Sequence, residues 1–118
     1  MARVLVVDDD AAGLDIRKVV LERHGHSVTA ANDAASARAA FYEIVPQAVI
    51  LDLRLPELED GLALIREFRA ASPSLRLIVL AGWSADLDGR EEAAMVDEII
   101  GKPAPSQRLV DAVSSTDF

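Results

Sequence analysis

Two hydrophobic periods alternate along this 118-residue chain, and that alternation restricts its folds more than any other feature. Short apolar runs of strand type lie at Arg3–Val7, Ser27–Ala31, Ala48–Leu51, Leu75–Leu80 and, more weakly, Glu98–Gly101. Between them the spacing turns helical. Ile16, Val19 and Val20 share a face in the first stretch, with Asp10 as N-cap and Gly25 as the stop. Ala37, Ala40, Phe41 and Ile44 repeat in the second, capped by Asn32 or Asp33 and ended by Pro46. Leu62, Ile65 and Phe68 recur in the third, before Ser72-Pro73. A fourth helix over about Asp86–Met95 is poorly supported, because Gly89 interrupts it and its apolar face is thin. The last, Ser106–Val113, carries Leu109, Val110 and Val113. Strand and helix in strict turn require parallel strands joined by crossovers, with helices on both faces. The expected fold is α/β, a doubly wound five-stranded parallel sheet.

Composition supports a single domain over residues 1–118, with Ser114–Phe118 as a frayed tail or the start of a linker. Hydrophobic residues make up 51% and aromatics only 4%, so the core is aliphatic. No cysteine is present, which excludes thiolate metal sites and cysteine nucleophiles. Twelve basic against twenty acidic residues give a net charge of -8, a field that repels nucleic-acid backbones and favours a divalent cation or a basic partner. No apolar run reaches the ~20 residues of a membrane span, and no signal peptide is recognisable. A cytoplasmic protein is expected.

Open α/β sheets bind ligands at the carboxyl ends of their strands. The first strand ends in Asp8, Asp9 and Asp10, the third in Asp52 followed by Leu53, Arg54, Leu55 and Pro56, the fourth in Ala81, Gly82 and Trp83, the fifth in Lys102-Pro103. Acids converging from two strands repel one another. A bound cation removes that cost, and a few carboxylate oxygens plus waters are how Mg²⁺ is usually held. Lys102 opposite them suits an incoming phosphoryl group.

Taken together, Val6-Val7-Asp8-Asp9-Asp10, Leu51-Asp52-Leu53-Arg54-Leu55-Pro56 with a later Gly61, and Lys102-Pro103 resemble the receiver domain of two-component response regulators, over essentially the whole chain. The resemblance implies a flavodoxin-like fold and a set of roles. Asp52 would be the phosphoacceptor, taking its phosphoryl group from a histidine kinase or a histidine phosphotransfer protein. Asp9, Asp8, Asp52 and the backbone carbonyl of Arg54 would hold Mg²⁺. Lys102 and the Gly82 N–H would bind phosphoryl oxygens, and the peptide before Pro103 would be cis. It also implies a phosphoacceptor rather than an enzyme, acting as a monomer or weak homodimer on an unknown output.

This chain departs from the family pattern in three places. Ala81 stands where the family has a hydroxyl. Ile99 stands where the family's switch has an aromatic ring. The loop from Pro56 to Gly61 is one residue longer than usual and carries Glu57, Glu59 and Asp60, expected to be a solvated acidic segment. The first two departures leave open a phosphorylation-independent interaction module. Asp8-x-Asp10 also fits, superficially, the two-acid motif of haloacid-dehalogenase-type phosphatases, but Ala11 and Ala12 follow where that motif continues into Gly and Thr. No DNA-binding helix-turn-helix, catalytic output or kinase segment is recognised, so the chain is expected to be either a single-domain regulator or a fragment whose output lies elsewhere. Arg54 and Trp83, both bulky, are expected to flank the acceptor.

Overall fold

The computed structural model describes residues 2–114, and in it all five apolar runs are strands: β1 Arg3–Val7, β2 Ser27–Ala31, β3 Ala48–Asp52, β4 Arg76–Ala81 and β5 Glu98–Gly101. Four α-helices join or follow them: α1 Ala11–Arg23, α2 Ala34–Ile44, α3 Leu58–Ala71 and α4 Ser106–Ser114. All strand pairs are parallel, in the order β2-β1-β3-β4-β5. That order reverses between β1 and β3, which makes the crevice beyond their carboxyl ends the switch point of the sheet. The expected doubly wound fold is present.

Alternation along the strands divides the core in two. Leu5, Val7, Val49, Leu51, Leu77 and Val79 face α2 and α3, where Phe41 stacks on Phe68 with ring centroids 4.1 Å apart. Val4, Val6, Ile50, Ile78 and Leu80 face α1 and α4. Every residue of β3 is buried, as a central strand covered on both sides requires.

Local signals explain most boundaries. Asp33, not Asn32, caps α2: its carboxylate accepts the Ser36 N–H at 2.7 Å. Val45 adopts a left-handed conformation before Pro46 and ends that helix. Asp10 occupies the N-cap of α1, but its side chain makes no capping hydrogen bond.

Four expectations are corrected. The buried face of α1 is Leu14 and Leu21, while Ile16 and Val19 are exposed. Arg17, between the two leucines in helical phase, turns inward to the Asp8 carboxylate, which leaves Ile16 and Val19 on the outer face while Val20 packs at the edge of the core. Second, no α-helix forms over Asp86–Met95. Two 3-10 turns, Ser84–Leu87 and Glu91–Met95, take its place, separated by Gly89 at φ +73. Leu87 is buried in the core, with Ala93 and Met95 packed against it, and two ion pairs add to that hold: Glu92 with Arg66 of α3 at 2.5 Å, and Asp86 with Arg54 at 3.0 Å. Third, Glu59 and Asp60 are not loop residues. They form the first turn of α3, where Asp60 accepts the Glu57 N–H at 3.1 Å and acidic charge suits the helix dipole. Fourth, Ser114 is the last residue of α4 rather than part of a tail; the rest of Ser114–Phe118 lies outside the described residues.

Candidate functional site

Beyond the carboxyl ends of the strands lies a cavity of about 340 Å³, lined by Asp9, Asp52, Leu53, Arg54, Pro56, Gly82, Trp83, Asp86 and Lys102. Four chain segments distant in sequence meet there because parallel strands bring all their ends to one edge. Asp52 closes the fully buried β3 and is itself buried. Lys102 follows β5; its backbone N–H donates to the Ala81 carbonyl at 2.9 Å, and its ammonium group donates to Asp52 Oδ2. Asp8 and Asp9 follow β1, one buried and one exposed.

Asp8, Asp9 and Asp52 each offer a carboxylate oxygen, and these oxygens all lie within 4.8 Å of one another. An all-oxygen, acidic donor set fits a hard dication such as Mg²⁺ and offers nothing to a soft one. The electrostatics of the acids differ. Burial pushes the Asp52 carboxyl above the ordinary range, and the Asp8 charge adds to this, although Lys102 opposes both. Burial also works against ionisation of Asp8, but the Asp10 N–H and the Arg17 guanidinium outweigh it and hold its carboxyl low.

The remaining expected residues divide into two groups. Arg54 reaches across the mouth, donating from Nε and Nη2 to the two carboxylate oxygens of Asp86 at 3.1 and 3.0 Å. Gly82 and Trp83 line the cavity, and Trp83 is 68% exposed. Ala81 and Ile99 do not line it. Ala81 is buried opposite Gly101, and Ile99 sits on the edge strand opposite Val79, partly exposed. The Lys102-Pro103 peptide is cis, as is Leu55-Pro56.

Two participants escaped the sequence reading. Asp86 falls in the segment taken for a poor helix, and nothing local marks it as the partner of Arg54. Arg17 donates from Nη1 to Asp8 Oδ2. A signal for it exists: an arginine three residues after Leu14 and four before Leu21 shares their buried face, and a buried guanidinium needs a carboxylate.

Comparison with known proteins agrees with this geometry. The sequence profile of the response regulator receiver domain matches residues 4–114. The virulence transcriptional regulatory protein PhoP of Salmonella typhimurium is 42% identical over 106 residues, 87% of this chain and 46% of PhoP. The transcriptional regulatory protein PhoP of Escherichia coli is 40% identical over 102 residues, 86% of this chain and 45% of that protein. The chain therefore spans a little under half the length of these curated relatives. Among solved structures, a response regulator receiver domain protein of Clostridium thermocellum superposes with a TM-score of 0.86 at 29% identity, over 98% of this chain and 93% of that one. TrrA of Thermotoga maritima, solved in complex with Mg²⁺–BeF, superposes with a TM-score of 0.86 at 26% identity over 98% of both chains. No described helix is long and apolar enough to cross a membrane. Sheet order, strand-end acids and a profile match running almost end to end converge: this chain belongs to the response regulator receiver domain family of two-component systems.

Proposed function

We propose that the domain accepts a phosphoryl group on Asp52 from the phosphohistidine of a histidine kinase or histidine phosphotransfer protein. The observation that carries this reading is the convergence of Asp52, Lys102, Asp8 and Asp9 at the switch point of the sheet. A carboxylate oxygen of Asp52 attacks the phosphorus; a P–O bond forms as the P–N bond breaks, and the imidazole departs as it takes up a proton. Asp8, Asp9, Asp52 and the Arg54 carbonyl would hold Mg²⁺, which when bound neutralises charge on the phosphoryl oxygens. Lys102 would pass from Asp52 to a phosphoryl oxygen, and the Gly82 N–H would donate to another. Such transfer needs positioning and charge neutralisation more than covalent chemistry from the protein. Receiver domains are phosphoacceptors rather than enzymes in general, and the site here supports that reading.

Incubation with acetyl phosphate and Mg²⁺ should add the mass of one phosphoryl group, and Asp52→Asn should abolish it. Labelling on Asp8 instead would favour the phosphatase-type motif. The engagement of both Asp8 oxygens, one by the Asp10 N–H at 2.9 Å and one by Arg17, speaks against it as the nucleophile. Undiminished labelling of Asp52→Asn overturns the assignment.

A second reading, a phosphorylation-independent interaction module, draws on Ala81 and Ile99. Without a hydroxyl or a ring at these positions, phosphorylation and conformation are weakly coupled. Absence of labelling by both acetyl phosphate and phosphorylated kinase would favour it. On the first reading the partners are the kinase and an output, on the second a binding protein alone, in both cases in the cytoplasm. The excess of acid makes nucleic acid an unsuitable direct ligand.

A further inference from the structure

We infer that Arg17 is a built-in competitor of the divalent cation, and that helix α1 thereby sets how much Mg²⁺ the acidic pocket demands. The inference rests on the Mg²⁺ site of the preceding reading. Arg17 occupies the buried face of α1, its side chain 17% exposed against 2% for Asp8, and its guanidinium holds Asp8 Oδ2. The other oxygen, Oδ1, accepts the Asp10 N–H at 2.9 Å. The carboxylate nearest the floor of the cluster therefore has a partner at each oxygen, one of them cationic.

Charge counting gives the consequence. Asp8, Asp9 and Asp52 bring three negative charges together. Lys102 answers the one on Asp52 and Arg17 the one on Asp8. Only one unit of negative charge is left to attract a dication, where a pocket without Arg17 would present two. A dication drawing on Asp8 would share that carboxylate with the guanidinium, so binding must either displace Arg17 or bear its repulsion. Burial keeps that repulsion from being screened away.

The residue one turn earlier borders the pair. Gly13 lies four positions before Arg17, on the same face of α1. A Cβ built there would stand 3.1 Å from Asp10 Oδ2 and 3.7 Å from Asp8 Oδ2. A larger residue there would press on the Asp10 carboxylate first and only touch that of Asp8.

Calorimetric titration of Mg²⁺, and separately Mn²⁺, into the wild-type protein, Arg17→Met and Arg17→Gln tests the inference at one fixed ionic strength. Met keeps the length and removes the charge; Gln keeps a polar end should Met impair folding, which circular dichroism reports. Either folded variant should bind Mg²⁺ roughly tenfold more tightly, the scale of one charge-assisted hydrogen bond removed from the competition. During Mg²⁺ titration of the wild type, the NMR signal of the Arg17 Nε–H should shift in proportion to occupancy. A merely structural arginine predicts unchanged or weaker affinity in the variants, and that result overturns the inference while leaving the Mg²⁺ site intact. Absence of Mg²⁺ binding in wild type and variants alike overturns both.

Discussion

Gly61 lies so close to the backbone of Leu53 that a Cβ at position 61 would stand 1.7 Å from the Leu53 carbonyl oxygen. No side chain fits that gap, and the obstacle is main chain, which cannot rotate aside. The contact seats α3 directly on the segment that follows Asp52, so the first turn of a core helix fixes the loop carrying Arg54. Gly61→Ala should cost roughly 3 kcal/mol or more, at the upper end for overpacking, because backbone must move. Chemical denaturation measures it. A loss below about 0.5 kcal/mol, the range of indifferent surface changes, would show that the loop gives way freely.

The outward rotation of α1 makes a second, opposed pair of expectations. Leu21 is 1% exposed and Ile16 is 59% exposed, although apolar periodicity alone favours Ile16 as the core residue. Leu21→Ala should lose about 3 kcal/mol, transfer and cavity terms together. Ile16→Lys should change stability by no more than about 0.5 kcal/mol. The reverse order would restore the periodicity reading.

That inversion shows where sequence is and is not legible. An acid that ends a continuous apolar run is visible in one dimension, so the sequence alone places Asp8, Asp52 and the lysine after β5 at one edge. Parallel topology did the rest, because it sends every strand end to the same side. The helical faces were harder. In α1 a polar residue, Arg17, belongs to the interior through its partner, and the apolar count therefore points the wrong way. The segment Ser84–Met95 was harder still: Asp86 and Glu92 are anchored by Arg54 and Arg66, residues 32 and 26 positions away. No local window contains both members of such a pair.

The link between α2 and α3 should depend on pH. Arg38 Nε donates to Glu67 at 2.6 Å and the Tyr42 hydroxyl donates to its other oxygen at 3.0 Å. The hydrogen bond from Arg38 chiefly holds the Glu67 carboxyl below its ordinary 4.5, against some burial. A depressed carboxyl contributes stability above its unfolded value and loses it as pH falls through the folded one. With the two side chains 40% and 31% exposed, solvent screening limits the pair to under about 1 kcal/mol. Arg38→Ala should thus be slightly less stable than wild type at neutral pH, with the gap closing below about pH 4 and in ~1 M salt. A gap that widens on acidification contradicts the assignment.

The strap from Arg54 to Asp86 should prolong the acyl phosphate on Asp52. Arg54 and Trp83 line the same cavity as Asp52, and their bulk on its wall should hinder an incoming water. Replacing both by alanine should hasten loss of the phosphoryl group roughly tenfold, about 1.4 kcal/mol of barrier. Asp86→Asn, which loosens Arg54 without removing it, should fall between. Decay of the mass increment after removal of the phosphodonor follows this directly. Equal lifetimes in all three proteins would remove the steric argument.

Phosphorylation should alter the β4–β5–α4 edge little, and a single hydroxyl should change that. Ala81 ends β4 beside the cavity, and its carbonyl accepts the Lys102 N–H at 2.9 Å, so it adjoins the lysine yet offers no donor of its own. Ile99 on β5 is partly exposed and has no ring to bury or release. A hydrogen bond to a charged group is worth ~1.5–3 kcal/mol, whereas moving a switch from one state wholly to the other takes ~5.5 kcal/mol. Losing that bond removes a large share of the drive and leaves the acids and Lys102 untouched. Amide hydrogen exchange on the wild type, with and without acetyl phosphate, should therefore differ mainly near Asp52 and the 3-10 turns. Ala81→Thr should extend the difference across Ile99–Val113. Ala81 is buried, so the larger residue should also cost about 1–3 kcal/mol of stability. Comparing each protein with its own unphosphorylated form cancels that cost. A wild-type response that already spans Ile99–Val113 would mean that the edge is driven by charge at Asp52 alone, with neither hydroxyl nor ring required.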